Sequence, residues 1–363
     1  MTGGLLRVGF VGAGGNTRAR HIPGLKAIPE VELIGVVNRS PESTARVADE
    51  FGITRRYGRW QDLVADDDID TVVIGTWPDL HCEVTCAALS AGRHVLCEAR
   101  MSRDAAEARR MVAAAQARPH LTAMLVPSPL ALECGPMVSQ MLQDGLIGEL
   151  REVVVIGADD QFHDSTRSLH WRQDASVSGL NVLALGILHE TVLRWVPQPE
   201  RVFAQAQIFA TDRPDPRGSG RVPVTVPESL QALVRYPGGA QGIYQISAVA
   251  LAGPGYQIHL YGSQGTLRIV FGSQEQVFAA RVGEGELRPI TIPPDKRGRW
   301  RVEEEFVAAI RGEERVTLTD FSTGLRYMEF TEAVSRSAAE GIPVSLPPAD
   351  GSPVASWGFD ANG

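Results

Sequence analysis

The chain has 363 residues, a formal net charge of −8, and apolar and charged fractions of 44% and 21%. These values indicate a globular protein of about two domains. They argue against a nucleic-acid partner, because proteins that bind nucleic acids are usually basic. No run of about 18 apolar residues is present, which argues against a membrane span. The first apolar run resembles a strand more than a signal peptide. We therefore expect a cytoplasmic protein that acts on a small molecule, with no membrane association.

Four cysteines, Cys82, Cys86, Cys97 and Cys134, lie in apolar surroundings. Cys82 and Cys86 are one helical turn apart, a spacing that a metal-binding pair can use. Small buried side chains in a reducing compartment are the more common explanation for such cysteines. We therefore expect no metal site.

A glycine-rich loop follows the first predicted strand, near the N-terminus. An apolar run leads into Gly12, Gly14 and Gly15, which are followed by Asn16 and residues that can begin a helix. This order is typical of a dinucleotide-binding unit, in which glycines let the backbone approach a pyrophosphate and the helix N-terminus offers free N–H groups. The third glycine of the usual pattern is replaced by Thr17, so we expect looser helix–strand packing or a wider loop here.

The first 125 residues alternate strand and helix signals. Further strands are predicted at Val31–Val37, Ile69–Thr76, His94–Cys97 and Leu121–Val126, and helices at Pro41–Phe51, Leu80–Ala91 and Asp104–Ala117. Ser40 is the expected N-cap before the first-turn proline of the first of these helices. Such alternation predicts a Rossmann domain, a doubly wound parallel sheet, over residues 1–127.

The pattern changes after Pro127. Strands without intervening helices are predicted at Leu150–Gly157, Arg201–Phe209, Ser229–Tyr236, Gly242–Val249, Tyr256–Tyr261 and Gly265–Val270, and helices at Leu132–Leu142, Gly179–Trp195, Arg301–Arg311 and Ser322–Ala339. These strands favour a large, mostly antiparallel open sheet. The expected fold is α/β, with a second α/β domain over residues 128–346 and an irregular tail over 347–363.

Polar residues follow the second strand, where a dinucleotide site meets the adenosine ribose. Asn38, Arg39 and Ser40 come there, and the first acid is Glu42. An acid at the strand end favours NAD, whereas an arginine can pair with a 2′-phosphate. We therefore expect NADP to be preferred over NAD, with Asn38 and Ser40 as further donors. In the alternative, Arg39 is a solvated loop residue that stacks on the adenine of either cofactor.

A second polar group follows the predicted strand 69–76, at the edge where ligands of open α/β sheets bind. It contains Thr76, Trp77, Pro78 and His81. We expect these residues to contact the nicotinamide half of the cofactor. For His81, packing against the sheet at a helix start is an equally supported alternative.

The order of these and later motifs resembles the Gfo/Idh/MocA oxidoreductase family over nearly the whole chain. The matching pieces are Gly12, Thr76, Pro78, His81, Ala91-Gly92, Glu98, Trp171-Arg172, Ser178-Gly179, Tyr261–Leu267, Glu305-Phe306 with Ala309-Ile310, and Ala333 with Ser337. The resemblance implies a Rossmann domain followed by an α/β domain whose open sheet commonly forms a homodimer or homotetramer. It also implies NAD(P)-dependent oxidation or reduction of a sugar, polyol or related metabolite.

The catalytic motif of that family is altered here. Its usual Glu-Lys-Pro is Glu98-Ala99-Arg100, so the lysine that touches substrate and nicotinamide is missing. Neither Lys26 nor Lys296, the only lysines, is placed by sequence to replace it. Glu98 keeps its position as a catalytic and cofactor-binding candidate. Arg100 stays protonated, so we expect it to bind an anionic substrate or stabilise an oxyanion.

A second catalytic segment departs as well. Ala184 and Leu188 take the places of the family's Asp and His, and His189 follows one residue later. One residue turns a helix by about 100°, so His189 reaches the usual position only through a helix offset or bulge. Its pKa range suits proton transfer, and it is the first candidate for the acid/base. In the alternative, it is a partly buried histidine bonded to Glu190 or a backbone carbonyl.

Further polar residues near this segment are candidates for substrate binding. The expected substrate-binding set is His170, Trp171, Arg172 and Asn181, with His163 and Asp174 as further polar groups. The leading hypothesis is an NADP-preferring oxidoreductase with a rebuilt acid/base site. The alternatives are a dinucleotide-binding sensor or scaffold without catalysis, and an enzyme that retains its cofactor for an elimination, hydrolysis or epimerisation.

Overall fold

The computed structural model describes residues 4–347, which form two compact units. Within that range, unit 1 comprises 4–132, His170–Asn181 and Arg299–Met328, and unit 2 comprises Glu133–Leu169, Val182–Gly298 and 329–347. The expected division into 1–127 and 128–346 therefore differs from the structure, because two later segments pack into the first unit. The expected tail 347–363 lies, apart from Pro347, outside the described residues.

The helices follow the predicted alternation in the first unit. In chain order the α-helices are α1 (Ile22–Lys26), α2 (Pro41–Phe51), α3 (Trp60–Ala65), α4 (Pro78–Ser90), α5 (Ala105–Gln116), α6 (Gly135–Gln143), α7 (Ala175–Ser178), α8 (Leu185–Leu193), α9 (Val302–Arg311) and α10 (Phe321–Glu340). A π-helical turn at Thr17–His21 precedes α1, and 3₁₀ turns occur at Trp171–Gln173, Pro237–Gly239 and Pro294–Lys296.

Unit 1 is built on a parallel sheet of six strands. These are β1 (Leu6–Val11), β2 (Val31–Val37), β3 (Arg55–Arg56), β4 (Thr71–Ile74), β5 (His94–Cys97) and β6 (Ala123–Leu125). Their order, β3-β2-β1-β4-β5-β6, is that of a doubly wound dinucleotide-binding sheet and confirms the predicted Rossmann fold. From β1 the strand order runs outward to β3, and the chain then returns to place β4 on the other side of β1. The loops that follow β1 and β4 are therefore neighbours.

Helix α2 begins as its sequence predicts. The Ser40 side chain accepts a hydrogen bond from the Ser43 backbone N–H at 3.2 Å, and Pro41 occupies the first helical position. Gly52 ends the helix with a φ of 73°, a conformation that glycine adopts without a steric cost. The N-cap of α2 thus holds the end of β2, where the cofactor ribose is expected, in a defined position.

The core of unit 1 explains why it includes a late segment of the chain. Val302, Phe306 and Val307 of α9 are buried in the same apolar cluster as Val8 and Phe10 of β1. Burying each large apolar side chain contributes about 1.5–3 kcal/mol. Since these residues are separated by about three hundred positions in sequence, no local pattern reveals the contact.

Unit 2 is built on a nine-stranded sheet, and the predicted mostly antiparallel sheet is confirmed. Its strands are β7 (Leu150–Ala158), β8 (Arg201–Gln207), β11 (Ser229–Arg235), β12 (Gln241–Ser247), β13 (Gly255–Gly262), β14 (Gly265–Phe271), β15 (Glu275–Arg281), β16 (Arg288–Ile290) and β17 (Val344–Ser345). They are arranged in the order β16-β15-β14-β13-β7-β12-β11-β8-β17, and the β7–β12 pair is parallel. The short strands β9 (Asp212–Pro214) and β10 (Arg221–Pro223) form a separate ribbon.

The single helix predicted at 179–195 is wrong. Helix α7 ends at Ser178, Gly179 has a φ of 65° and Leu183 a φ of 47°, and α8 starts only at Leu185. Backbone with positive φ cannot continue a right-handed helix. The tight fit of Gly179 supplies one cause, since a Cβ there would lie 2.2 Å from the Arg103 carbonyl oxygen.

Residues 4–347 contain neither a membrane-spanning helix nor a cluster of metal-ligating side chains. No helix in this range is long and apolar enough to cross a membrane. The same residues include no group of three or more His, Cys, Asp or Glu side chains arranged to hold a metal ion. The four cysteines Cys82, Cys86, Cys97 and Cys134 form no disulfide bond.

Candidate functional site

A cavity of about 570 Å³ opens at the carboxyl ends of β1, β2 and β4 in unit 1. This is the edge of a doubly wound sheet at which ligands bind. The predicted cofactor residues that line it are Gly12, Gly14, Asn38, Arg39, Thr76 and Trp77. The remaining predicted residues Gly15, Asn16, Ser40, Pro78, His81 and Glu98 are not among the lining residues.

The glycine loop packs closely at the point where looser packing was expected. Gly12 has a φ of 82°, and a Cβ there would lie 2.7 Å from Thr76 Cγ2. Thr17, in place of the third glycine, is buried, and its Oγ1 lies 2.1 Å from the position of a Cβ on Gly75. The expectation of a loose or wide loop is therefore wrong. The room that the threonine needs comes from Gly75 on the neighbouring loop.

Asn38 and Ser40 shape the site through bonds to the protein. Asn38 Oδ1 accepts from the Ala13 N–H at 2.6 Å, and its Nδ2 donates to the Ser43 carbonyl at 3.1 Å. Ser40 caps α2. These bonds tie the glycine loop to the start of α2, so the polar atoms expected to donate to a ribose phosphate serve within the protein.

Four arginines line the cavity: Arg18, Arg39, Arg46 and Arg59. Arg18 pairs with Glu50 at 2.6 Å. The single carboxylate among the lining residues is Asp79, and burial raises the pKa of this carboxyl group. The cavity therefore presents a positive field on the side of β2, where the adenosine ribose of a dinucleotide would lie.

An aromatic and cationic stack continues from the cavity. The Arg39 guanidinium lies 5.3 Å from the Trp77 ring centroid, and Trp77 stacks on Trp171 at 5.8 Å with an interplanar angle of 18°. The Arg172 guanidinium lies 4.2 Å from the Trp171 ring on the 3₁₀ turn. Cation–π pairs contribute about 0.5–2 kcal/mol each. The predicted substrate-binding residues Trp171 and Arg172 thus continue a stack that begins at the predicted cofactor residues Arg39 and Trp77 within unit 1.

His170 and His81 occupy different environments in unit 1. His170 Nδ1 accepts from the Arg172 N–H at 3.2 Å, and burial, with Arg172 and Arg100 nearby, lowers the pKa of the imidazole. His81 is fully buried, with Nδ1 2.8 Å from the Arg100 carbonyl and Nε2 3.1 Å from the Thr76 carbonyl. Burial lowers its pKa as well. His81 therefore links the ends of β4 and β5, in agreement with the packing alternative.

Glu98 lies at the end of β5 and is held by two neighbours. Its Oε1 accepts from Asn16 Nδ2 at 2.5 Å and contacts His21 Nε2 at 3.0 Å. His21 Nδ1 in turn contacts Glu303 Oε1 at 2.6 Å. Burial raises the pKa of Glu98, but the bonds to His21 and Asn16 outweigh this and lower it. The structure thus connects Asn16 of the glycine loop to Glu98.

Ala99 and Arg100 complete this loop. The Ala99–Arg100 peptide bond is cis although residue 100 is not proline. The Arg100 side chain is 6% exposed, and it lies close enough to His170 to act on its pKa. Arg100 therefore supplies a buried positive charge beside the Trp171 turn.

His189 lies in the core of unit 2. Its ring is fully buried, stacks on Phe330 at 3.7 Å, and contacts Tyr244 Oη at 2.8 Å and Gln198 Oε1 at 3.3 Å. Both ring nitrogens are thus directed at protein groups. This arrangement favours the packed-histidine interpretation over the acid/base role, with Tyr244 and Gln198 as partners rather than Glu190.

Asn181 and His163 are also placed by the structure. Asn181 is 3% exposed, and its Nδ2 donates to the Ser102 and Ser178 carbonyls at 2.8 and 2.7 Å. Those bonds use the amide nitrogen to link loops of unit 1, while the buried Oδ1 has no hydrogen-bond partner among the described residues. His163 is exposed in unit 2.

Sequence reasoning missed His21 and Glu303. They are separated by 282 positions, and neither belongs to a motif that local spacing reveals. The sequence offers one weak signal for His21, which is the only histidine between the glycine loop and the second predicted strand.

Comparisons with known proteins agree with this geometry. A model of the Gfo/Idh/MocA family described as an oxidoreductase family with an NAD-binding Rossmann fold matches residues 6–124, and the GFO/IDH/MocA C-terminal domain matches residues 137–268. Trans-1,2-dihydrobenzene-1,2-diol dehydrogenase of Oryctolagus cuniculus is 28% identical over 61% of this chain and 64% of its own. Levoglucosan dehydrogenase of Pseudarthrobacter phenanthrenivorans is 23% identical over 76% of this chain and 75% of its own.

A solved structure of levoglucosan dehydrogenase, in complex with NADH and L-sorbose, has the same fold. It superposes with a TM-score of 0.84 at 22% identity and covers 95% of this chain and 100% of its own. The fold, the glycine loop and these matches define an NAD(P)-dependent oxidoreductase. The chain belongs to the Gfo/Idh/MocA family, which confirms the resemblance seen in the sequence.

Proposed function

We propose that this protein is an NADP-preferring dehydrogenase or reductase that acts on a hydroxyl or carbonyl group of a sugar-, polyol- or diol-like metabolite. The observation that carries the cofactor preference is the charge of the unit 1 cavity. Four arginines and one carboxylate line it. Arg39 and Arg59 are exposed beside the end of β2, and a 2′-phosphate would add two negative charges where an unphosphorylated ribose has none.

The cavity fits a dinucleotide by its shape as well. Gly14 and Gly15 leave space beside the loop backbone, since a Cβ on Gly15 would meet nothing within 4 Å. The backbone can therefore approach a pyrophosphate closely. When bound, the nicotinamide ring supplies the hydride acceptor or donor.

Proton transfer is assigned to Glu98 in this proposal. Its Oε1 is occupied by Asn16 and His21, whereas Oε2 has no hydrogen-bond partner among residues 4–347. With a dinucleotide held in the cavity, Glu98 Oε2 would accept the hydroxyl proton of a substrate alcohol as that alcohol is oxidised to a carbonyl. Arg100 orients the substrate oxygen and stabilises its developing negative charge. In reduction the same proton returns.

Two variants, each with a matched control, test the cofactor preference and the role of Glu98. Arg39→Ala should raise the Kd for NADPH about 10- to 100-fold, because a charge-assisted bond is worth about 1.5–3 kcal/mol, and should change the Kd for NADH far less. Its control is Arg56→Ala, which removes an exposed arginine paired with Asp49. An equal loss for both cofactors would contradict the 2′-phosphate role.

Glu98→Gln tests the chemistry. It should lower kcat about 100-fold or more, the usual contribution of a positioned acid or base, with little change in the Kd for NADPH. Its control is Glu83→Gln on the exposed side of α4. Turnover is measured by nicotinamide absorbance with polyols, sugars and vicinal diols. Unchanged kcat in Glu98→Gln would remove Glu98 from the mechanism.

One observation favours a second candidate, a dinucleotide-binding protein without hydride transfer to a free substrate. Ala99 stands where the family's lysine is expected, and the buried position of His189 offers no replacement within unit 2. This candidate predicts tight NADPH binding with no net redox change for any of these substrates. A bound cofactor that returns to its starting redox state in each cycle would indicate a redox-assisted elimination, hydrolysis or epimerisation.

We also propose that two copies of the chain associate through the open face of the unit 2 sheet. Phe203, Leu233 and Ile243 are 43%, 56% and 49% exposed and are direct cross-strand neighbours. Such a row of apolar side chains is typical of a protein interface. Leu233→Lys should lower the oligomeric state in analytical ultracentrifugation. Val282→Lys, which alters a 73% exposed apolar residue outside the sheet row, is the control.

A further inference from the structure

His21 lies between two carboxylates in unit 1, and its side chain is fully buried. Nδ1 is 2.6 Å from Glu303 Oε1 and Nε2 is 3.0 Å from Glu98 Oε1. A neutral imidazole has one N–H and one lone pair, so it would turn the lone pair toward one of the two carboxylates. The imidazolium form alone donates to both. Nε2 also lies 3.3 Å from Asn16 Nδ2, which itself donates to Glu98 Oε1. The two carboxylate contacts favour a His21 that carries protons on both ring nitrogens.

The two carboxylates are themselves held. Trp300 Nε1 donates to Glu303 Oε2 at 2.8 Å, and Asn16 Nδ2 donates to Glu98 Oε1 at 2.5 Å. The other charged groups that face this network are few. The Arg20 guanidinium lies 4.4 Å from the Trp300 ring, and His81 acts on Glu98 through space. A single set of contacts thus joins the glycine loop, the end of β5 and the start of α9.

The network leaves one oxygen of Glu98 unused. Glu98 Oε1 carries both bonds, and the side chain keeps 14% of its surface exposed. Fixing one oxygen from the protein side restricts the other, because the carboxylate is a rigid planar group and its two oxygens move together. The orientation of Glu98 therefore depends on the histidine behind it.

We propose that His21 is a positioning residue that acts through Glu98: as a buried imidazolium backed by Glu303, it keeps Glu98 ionised and directs Oε2 toward the reacting hydroxyl. This inference rests on the proton-transfer role of Glu98 in the proposed function. Burial lowers the pKa of His21, but the hydrogen bonds that it donates to Glu303 and Glu98 outweigh burial and raise the pKa to about 9. Once His21 loses its proton, a lone pair faces a carboxylate and the orientation of Glu98 is lost.

Charge state is the first readout, and it does not depend on turnover. The ¹⁵N NMR signals of the His21 imidazole, assigned by their loss in His21→Gln, should be those of an imidazolium at neutral pH and should titrate near pH 9. Glu303→Gln should lower that titration, since it removes one carboxylate. His94→Gln, which alters a half-buried histidine that accepts from the Thr122 N–H, should leave the His21 signals unchanged. A neutral His21 at neutral pH would overturn the proposal.

The pH dependence of kcat is the second readout. Wild-type kcat should fall above about pH 9, where His21 loses its proton. His21→Gln should lower kcat on the order of ten- to hundredfold through misplacement of Glu98 and should abolish that decline. Glu303→Gln keeps the histidine and should move the decline to lower pH, which preserves the test if His21→Gln does not fold.

The outcomes separate the two proposals. The positioning role would be overturned if His21→Gln and Glu303→Gln both kept the kcat of the wild type and the same decline of kcat at high pH. A wild-type protein that binds NADPH and transfers no hydride would defeat the proposed function and the catalytic use of Glu98. The NMR titration would then still decide whether His21 is held as an imidazolium.

Discussion

The stability of unit 1 should depend on pH through His21. The folded state raises the pKa of this histidine from 6.5 to about 9, because burial, which lowers the pKa, is outweighed by the hydrogen bonds that the ring donates to Glu303 and Glu98. Each pKa unit corresponds to about 1.4 kcal/mol. The interactions of protonated His21 with Glu303 and Glu98 therefore contribute roughly 3 kcal/mol to the free energy of unfolding. His21 is fully buried, and solvent screening reduces this value little. Since the folded pKa is the higher one, this contribution is complete below about pH 6.5 and is lost as pH rises to about 9.

Urea denaturation at a series of pH values measures this effect. The free energy of unfolding of wild type minus that of His21→Gln should fall by roughly 3 kcal/mol between about pH 6.5 and 9. Taking the difference removes the groups that titrate alike in both proteins. In Glu303→Gln the fall should occur at lower pH. A difference that stays constant over this range would refute the reasoning, because His21 would then have the same pKa in the folded and unfolded states.

Two further substitutions have expected outcomes. Gly75→Ala should destabilise unit 1 and weaken NADPH binding, because its Cβ would lie 2.1 Å from Thr17 Oγ1 and 2.2 Å from the Gly12 oxygen. The control Gly15→Ala places a Cβ that meets nothing within 4 Å and should leave thermal stability near wild type. Equal melting temperatures for the two variants would contradict this account of the loop. Arg213→Ala should lower the free energy of unfolding by about 3–5 kcal/mol, because it leaves the buried Glu228 carboxylate without the guanidinium that contacts it at 2.9 Å. A loss below about 1 kcal/mol in urea denaturation, the size of a surface ion pair, would contradict it.

Much of the fold follows from local sequence signals. The start of α2 is set by Ser40 and Pro41, and the six parallel strands of unit 1 follow from alternating apolar runs. The error at 179–195 has a physical cause in the positive φ of Gly179 and Leu183, which depends partly on a fit against a distant loop. Apolar spacing alone contains no information on such a fit.

The site was predictable where motifs are local. The glycine loop and Arg39 were found because they follow strands directly, and both line the cavity. The interpretation of Thr17 failed because its space is supplied by Gly75, 58 positions later. The His21–Glu303 contact was missed for the same reason, since tertiary packing alone brings the two residues together.

The most direct test of the proposed function is a fluorescence titration of the cofactor-free protein with NADPH and with NADH at one fixed salt concentration. The arginines of the unit 1 cavity predict saturable binding of both, with the lower Kd for NADPH. Tighter binding of NADH would contradict the assigned role of Arg39, and binding of neither would contradict the assignment of the cavity as a dinucleotide site.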